Sequence, residues 1–308
     1  MDLKKAGDFL EKIVIVGDGP AGISAALYAA RGNMEPLVVG MGSSSLDKAE
    51  LIQNYYGLSK PMTGQELHET GIAQAKELGV RFMEEQVLGI SGFDTFVIKT
   101  TAGDLEAECV ILATGSQRKA PRIRGLKELE GRGVSYCAVC DAFFYRGKEV
   151  AVLGNGDFAL HEAEELAAMA SKVTICTNGA APEFTGAVDF PVNTGKISKI
   201  QGEDQVTGIC FSPEVSVQDT EQDQARVLPV AGVFVASGTA GSASIARQMG
   251  AALTSKGNIK INENMESTIP GLFAAGDCTG GLLQVAKAVY EGAQAGLSAV
   301  QYVRARAK

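Results

Sequence analysis

The sequence predicts an α/β protein built on parallel, doubly wound sheets, and three observations predict it. Two strand, glycine-loop and helix units stand in tandem: Lys12–Val16 (KIVIV) runs into GDGPAG, and Glu149–Leu153 (EVAVL) runs into GNGDFA. Further short apolar runs also close on glycine, at Cys109–Ala113, Val230–Ser237 and Pro270–Asp277. Such runs, β-branched and feeding alanine-rich stretches, are what strands buried on both faces require.

Taken in order, Gly17, Gly19 and Gly22 fit GxGxxG, and the stretch after them reads as a helix to Arg31. Glycine here permits a tight turn and a close approach to a pyrophosphate seated on the positive end of the helix. A strand follows at Leu37–Val39. Thr63 opens a second helix running to Leu78, because Glu66 three residues on completes a capping box. The run Cys109–Ala113 ends in the turn Ala113, Thr114 and Gly115. In the second unit Gly154, Gly156 and Ala159 repeat the fingerprint, with a helix expected over Asp157–Ala170 and a strand over Lys172–Cys176. A long helix is expected from about Leu282 to Arg304, whereas Asn178–Arg226 carries only weak, interrupted strand signals.

At 308 residues the chain is long enough for two cores. It contains no apolar run of the roughly 18 residues that a membrane span needs, and MDLKKAGDFLEK lacks the apolar core of a secretory signal. A cytoplasmic protein is expected, without a membrane partner. A net charge of −8 argues against nucleic acid, whose binding needs a basic face. One local exception is the segment from Arg118 to Arg132, where Arg118, Lys119, Arg122, Arg124, Lys127 and Arg132 face only Glu128 and Glu130.

Six cysteines in such a chain do not make a disulfide scaffold, and with only His68 and His161 as histidines no usual zinc site can be assembled. Cys109 and Cys176 sit in β-like runs and Cys210 follows another, so these read as small buried hydrophobes. The pair Cys137/Cys140 in CAVCD is different. Two thiols at this spacing can close a small disulfide, and a nearby helix end or charge can lower one thiol's pKa so that it attacks as thiolate.

GDGPAG, ATG, CAVCD, GxGxxA and GLFAAGD, in this order over essentially the whole chain, resemble the low-molecular-weight thioredoxin reductases. The resemblance implies two Rossmann-like FAD/NAD(P)-binding domains, the second inserted into the first: 1–116 and 242–308 for FAD, 117–241 for the disulfide. It implies FAD contacts from Gly17, Gly19, Pro20, Ala21 and Gly22, from Gly40 and Met41, from Asn54 and Val87, and from Ala113, Thr114 and Gly115. Gly276 and Asp277 would meet the ribityl chain and pyrophosphate, and Leu283, Gln284 and Val285 the flavin ring. It further implies that Cys140 takes electrons from the flavin, that Cys137 attacks thioredoxin, and that Asp141 passes a proton. Homodimerisation is expected on the same ground. At Ser43–Leu46 the chain departs from the family's usual GGQL.

A second departure concerns the electron donor. After strand Lys172–Cys176 an NADPH enzyme of this family places arginines for the 2′-phosphate, and an NAD site places a carboxylate for the ribose. Thr177, Asn178 and Gly179 offer neither. NADPH is therefore not an expected cofactor, and GNGDFA reads as a packing device. The stretches CAVCDAFFYRGKEVAVLG, KAELIQNYYG and GGLLQVAKAVYEGAQAG are more similar to ferredoxin-dependent flavin thioredoxin reductases. Transfer from a ferredoxin near −400 mV to a thioredoxin near −270 mV is roughly 6 kcal/mol downhill for two electrons. Two alternatives stay open: an NADPH-dependent enzyme with a divergent phosphate grip, and a flavin-bound redox sensor without turnover.

Overall fold

The computed structural model describes residues 10–115, 121–212, 227–238 and 241–307, apart from the side chain of Cys140. The chain divides into two compact units, one comprising Met1–Gln117 with Gly241–Lys308 and the other Arg118–Ala240. The helices are α1 (Pro20–Arg31), α2 (Gly64–Glu77), α3 (Ala138–Asp141), α4 (Asp157–Ala167), α5 (Ser242–Gln248) and α6 (Val285–Arg306). Among the described residues no helix is long and apolar enough to cross a membrane.

In the first unit five parallel strands stand in the order Leu272–Ala274, Val110–Leu112, Val14–Val16, Leu37–Gly40 and Arg81–Glu84. The three central runs VIL, VIV and LVV are wholly buried, as strands covered on both faces must be. A second, mostly antiparallel sheet carries Leu10–Glu11, Gly103–Ala107, Phe96–Thr100 and Val87–Ser91. The second unit repeats the plan. Its parallel order is Val192–Asn193, Lys172–Cys176, Glu149–Leu153, Gly232–Val235 and Val134–Ser135, beside an antiparallel sheet of Ile197–Gly202, Val206–Phe211 and Val227–Pro229. The α/β class with two Rossmann-like sheets is thus the observed fold.

Several boundaries differ from expectation. The helix after the second fingerprint stops at Ala167 instead of Ala170, where the ladder tightens and the Met169 amide reaches the Leu166 carbonyl three residues back. The weakly patterned stretch contains two six-residue strands, and Cys210 lies inside one of them instead of after it. Register shifts in their pairing break the alternation that sequence reading depends on. α2 begins as expected, with both bonds of the Thr63/Glu66 capping box present.

α1 packs on α6 through glycines. A Cβ at Gly292 would lie 2.1 Å from the Ala21 carbonyl oxygen, and one at Gly296 would lie 2.4 Å from that of Ala25. Alanine gains about 1 kcal/mol of helix propensity over glycine, but the clash is with backbone that cannot rotate away. Gly292→Ala should therefore lower stability by about 2 kcal/mol or more in chemical denaturation, and a neutral or stabilised variant would refute this packing account.

Candidate functional site

The carboxyl ends of the central strands of the first unit converge on one glycine-lined rim. The Gly17 amide donates to Val39 O at 2.8 Å, the Ala113 amide to Val16 O at 2.7 Å, and the Ala275 amide to Leu112 O at 3.0 Å. Gly17 (φ +113°) is pressed on the Ala113 peptide, and a Cβ at Gly22 would fall 1.8 Å from Gly17 O, so α1 starts hard against the loop. Gly19 caps α1 without any side-chain bond, with Pro20 following it in the first turn. A Cβ on Gly19 would meet only Ser44 Oγ, at 3.2 Å, and one on Gly115 only Ser45 Oγ, at 3.8 Å. An open glycine face, free helix amides and two rim hydroxyls fit an anionic pyrophosphate.

Other expected residues lie in the same unit. Gly276 (φ +86°) leaves only 2.9 Å between its would-be Cβ and that of Ala21. Asn54 Nδ2 donates to Gln284 Oε1 at 3.2 Å, next to exposed Leu283 and to Val285, where α6 begins. Thr114 and Ser242 bond reciprocally: each amide donates to the other's hydroxyl, at 3.0 and 2.7 Å. Met41 is half-exposed beyond Gly40. Val87 stands apart, buried at the head of its strand opposite Thr100 in the antiparallel sheet.

Sequence reasoning missed what shapes this rim. A Cβ at Gly40 would lie 2.5 Å from Asp18 Cγ, so glycine there makes room for the Asp18 carboxylate, whose Oδ2 accepts the Gly42 amide at 2.9 Å. Buried His68 on α2 bonds Asp18 O through Nε2 at 2.8 Å and Asp47 Oδ1 through Nδ1 at 2.9 Å. Asp47 in turn caps the Ser44 amide at 2.7 Å. His68 thus fixes the Ser43–Leu46 segment, the place where family likeness fails. Asp277 and the pair Lys287/Glu291 form another, partly buried cluster, in which burial raises the Asp277 pKa, Lys287 opposes the rise and Glu291 adds to it.

In the second unit Cys137 is disulfide-bonded, while Cys176 and Cys210 there and Cys109 and Cys278 in the first unit are free and buried. Burial pushes the Cys176 and Cys278 thiols up to about 12 and Cys109 well above its ordinary value, which leaves them unreactive near neutrality. Ser135 Oγ donates to Asp141 Oδ2 at 2.6 Å and accepts the Cys137 amide at 3.1 Å. Glu162 on α4, fully buried, accepts the Ala138 amide at 2.8 Å. Val139, Phe143 and Phe144 beside the disulfide are 56%, 66% and 67% exposed, an unusual grouping of large apolar side chains in water.

The second fingerprint is covered by its own chain. Glu183 N donates to Asn155 O at 2.6 Å, and Asn155 Nδ2 to Ala181 O at 3.0 Å. Asp157, in the first turn of α4, accepts both the amide and the hydroxyl of Thr185, at 2.8 and 3.0 Å. A Cβ at Gly156 would meet only Glu183 O, at 3.5 Å. Gly154, whose Cβ would be 2.2 Å from Ala236 O, serves strand packing. In the basic segment Arg122, Arg124, Lys127 and Arg132 are exposed around buried Ile123, Leu126 and Leu129; Arg118 and Lys119 lie outside the described residues. Among the described residues no cluster of His, Cys, Asp and Glu could hold a metal ion.

Comparison with known proteins gives a consistent result. The pyridine nucleotide-disulphide oxidoreductase family matches residues 11–292. Thioredoxin reductase of Aquifex aeolicus is 33% identical over 291 residues, covering 90% of this chain and 88% of that protein. The structure of the atypical thioredoxin reductase TRi from Desulfovibrio vulgaris Hildenborough is similar with a TM-score of 0.88 at 37% identity, covering 96% of this chain and 98% of that one. A ferredoxin-flavin thioredoxin reductase from Clostridium acetobutylicum is similar with a TM-score of 0.68 at 33% identity, over the same shares.

Asp18 supplies a pH test of the rim. Its pKa is raised, chiefly by burial, against the lowering effects of its own and the Gly42 backbone and of His68. A raised carboxyl pKa means that the folded state favours the protonated form, so its ionisation costs stability as pH rises above the unfolded value of about 4. Asp18→Asn keeps an oxygen for Gly42. Its melting temperature should match the parent's at low pH and exceed it increasingly toward neutrality; the opposite trend would show that the His68 attraction dominates.

Proposed function

The chain belongs to the thioredoxin reductases within the pyridine nucleotide-disulphide oxidoreductase family, and from that membership we propose that it carries electrons from reduced ferredoxin through FAD and the Cys137/Cys140 disulfide to thioredoxin. The observation that carries the donor reading is the covered second fingerprint. A pyrophosphate approaching Gly156 would meet the Glu183 carbonyl and the Asp157 carboxylate, two acceptors, in place of amides and a cation. Thr177–Gly179 add no group for a 2′-phosphate, and charge-assisted bonds to phosphate are the strong ones that such a site needs. NADPH is on this reading not a cofactor.

The rim of the first unit suits FAD. Gly17, Gly19, Pro20, Ala21 and Gly22 would take the pyrophosphate, Gly40 and Met41 the adenosine half, and Asn54, Ala113, Thr114 and Gly115 the remainder of the near wall, whereas Val87 in the antiparallel sheet lies outside it. Gly276 and Asp277 would hold the ribityl side and Leu283, Gln284 and Val285 the ring. FAD, when bound, accepts electrons singly and delivers them as a pair, which joins a one-electron donor to a disulfide. Asp141, bonded to Ser135, is in reach of the disulfide segment as its proton carrier, while Cys137 would attack thioredoxin. The exposed Val139, Phe143 and Phe144 support docking of a partner beside the disulfide. The exposed basic side chains of Arg122, Arg124, Lys127 and Arg132 favour an acidic donor through association rate. Cytoplasmic location and a homodimer complete the reading.

Two experiments test it. Under anaerobic stopped flow, reduced ferredoxin should bleach the oxidised flavin band rapidly while NADPH and NADH do not at a catalytically useful rate. Saturable fast bleaching by NADPH would instead favour the divergent nucleotide site. Independently, Cys140→Ser should trap thioredoxin as a mixed disulfide through Cys137, and Cys137→Ser should not; the reverse pattern would exchange the two roles.

A further inference from the structure

Lys287 and Glu291 sit one turn apart on α6, 2.9 Å from each other, with side chains only 14% and 11% exposed. Lys287 Nζ also donates to Gly276 O at 2.7 Å and to Thr279 Oγ1 at 2.7 Å, so all three of its hydrogens have acceptors inside the protein. Glu291 Oε2 accepts the Gly276 amide at 2.8 Å and lies 2.8 Å from Thr279 Oγ1. One ion pair therefore grips both the N–H and the C=O of a single residue. That residue has φ +86° and ψ −153°, a conformation open essentially to glycine alone.

Burying two charges costs several kcal/mol of solvation, and a glycine turn can be closed without them. What the pair adds is electrostatic balance. Asp277 and Glu291 would otherwise present two carboxylates beside the start of α1, where the pyrophosphate is expected, and Lys287 is the cation recorded against both. We propose that Lys287 and Glu291 are positioning residues for the cofactor: they set the Gly276–Asp277 turn, and Lys287 cancels the negative charge beneath an anionic ligand. The inference rests on the FAD reading but concerns residues outside its contact set. Lys287 acts through the turn and is not itself a ligand.

The two partners are unequal on this account, and that inequality makes the test. Lys287→Met leaves a buried carboxylate facing the cofactor and leaves the Gly276 carbonyl with the Thr279 amide and hydroxyl alone. Glu291→Gln retains an oxygen for the Gly276 amide and leaves a cation facing an anion. The measurement is FAD release from purified holoenzyme, followed by the rise in flavin fluorescence after dilution, with melting temperatures recorded alongside. K287M should release FAD about tenfold faster than the parent, the equivalent of about 1.4 kcal/mol. E291Q should release FAD no faster than the parent even where its melting temperature falls, and K287M/E291Q should fall between the two single variants.

Equal acceleration in both single variants, in step with their melting temperatures, would overturn the proposal in favour of simple packing. So would an unchanged release rate in K287M. Should K287M not fold, the double variant set against E291Q isolates the lysine: faster release is expected, and identical rates refute the role. Parent protein that binds no FAD at all would instead remove the FAD reading on which this inference rests.

Discussion

A Cβ at Gly22 would sit 1.8 Å from the Gly17 carbonyl oxygen, one at Gly17 2.4 Å from that of Ala113, and one at Gly292 2.1 Å from that of Ala21. At each contact backbone meets backbone, with no side-chain atom between to yield. These approaches fix α1 at the carboxyl ends of the Val14–Val16 and Val110–Leu112 strands and fix α6 against α1. The first amides of α1 are thereby aimed at a space whose walls cannot relax, which is how a helix dipole becomes a stable anion site instead of a diffuse preference. The Gly276 turn joins the same rigid body through its approach to Ala21.

Charge is then arranged around that frame. His68 is held at both ring nitrogens, by Asp18 O and by Asp47 Oδ1. Through Asp47 this buried ring orders the Ser44 cap and hence the two hydroxyls at the rim. On the opposite side Lys287 and Glu291 order the Gly276 turn by the same means. In both places a polar side chain on a helix dictates the conformation of a loop at the rim.

This division explains what the sequence disclosed and what it withheld. Elements set by local chemistry were legible: the Thr63/Glu66 box, the Glu149–Leu153 and Lys172–Cys176 strands, and the glycine loops with the α1 that follows. The rim's supports were not, because they join residues far apart in the chain: His68 with Asp18 and Asp47, and Glu291 with Gly276. A lysine and a glutamate at i, i+4 on an alanine-rich helix look like a solvated surface pair, and only their burial separates the two cases. The strands within the Asn178–Arg226 stretch were hidden by bulges and short pairings, which leave no alternation to detect.

The two fingerprints make the same point from within one chain. Gly19 and Gly156 hold equivalent places, each at the start of a helix with no side-chain cap, and each with a single atom near its free face. At Gly19 that atom is a serine hydroxyl, which can donate to a phosphate. At Gly156 it is a carbonyl oxygen, which cannot. The glycines specify only how the backbone turns; the segment that folds over the turn decides whether an anion can enter. In the first turn of α4 Asp157 holds Thr185, and further along the same helix the Glu162 carboxylate accepts the amide that follows Cys137. One helix thus joins the segment that lies over the second fingerprint to the segment that carries the disulfide.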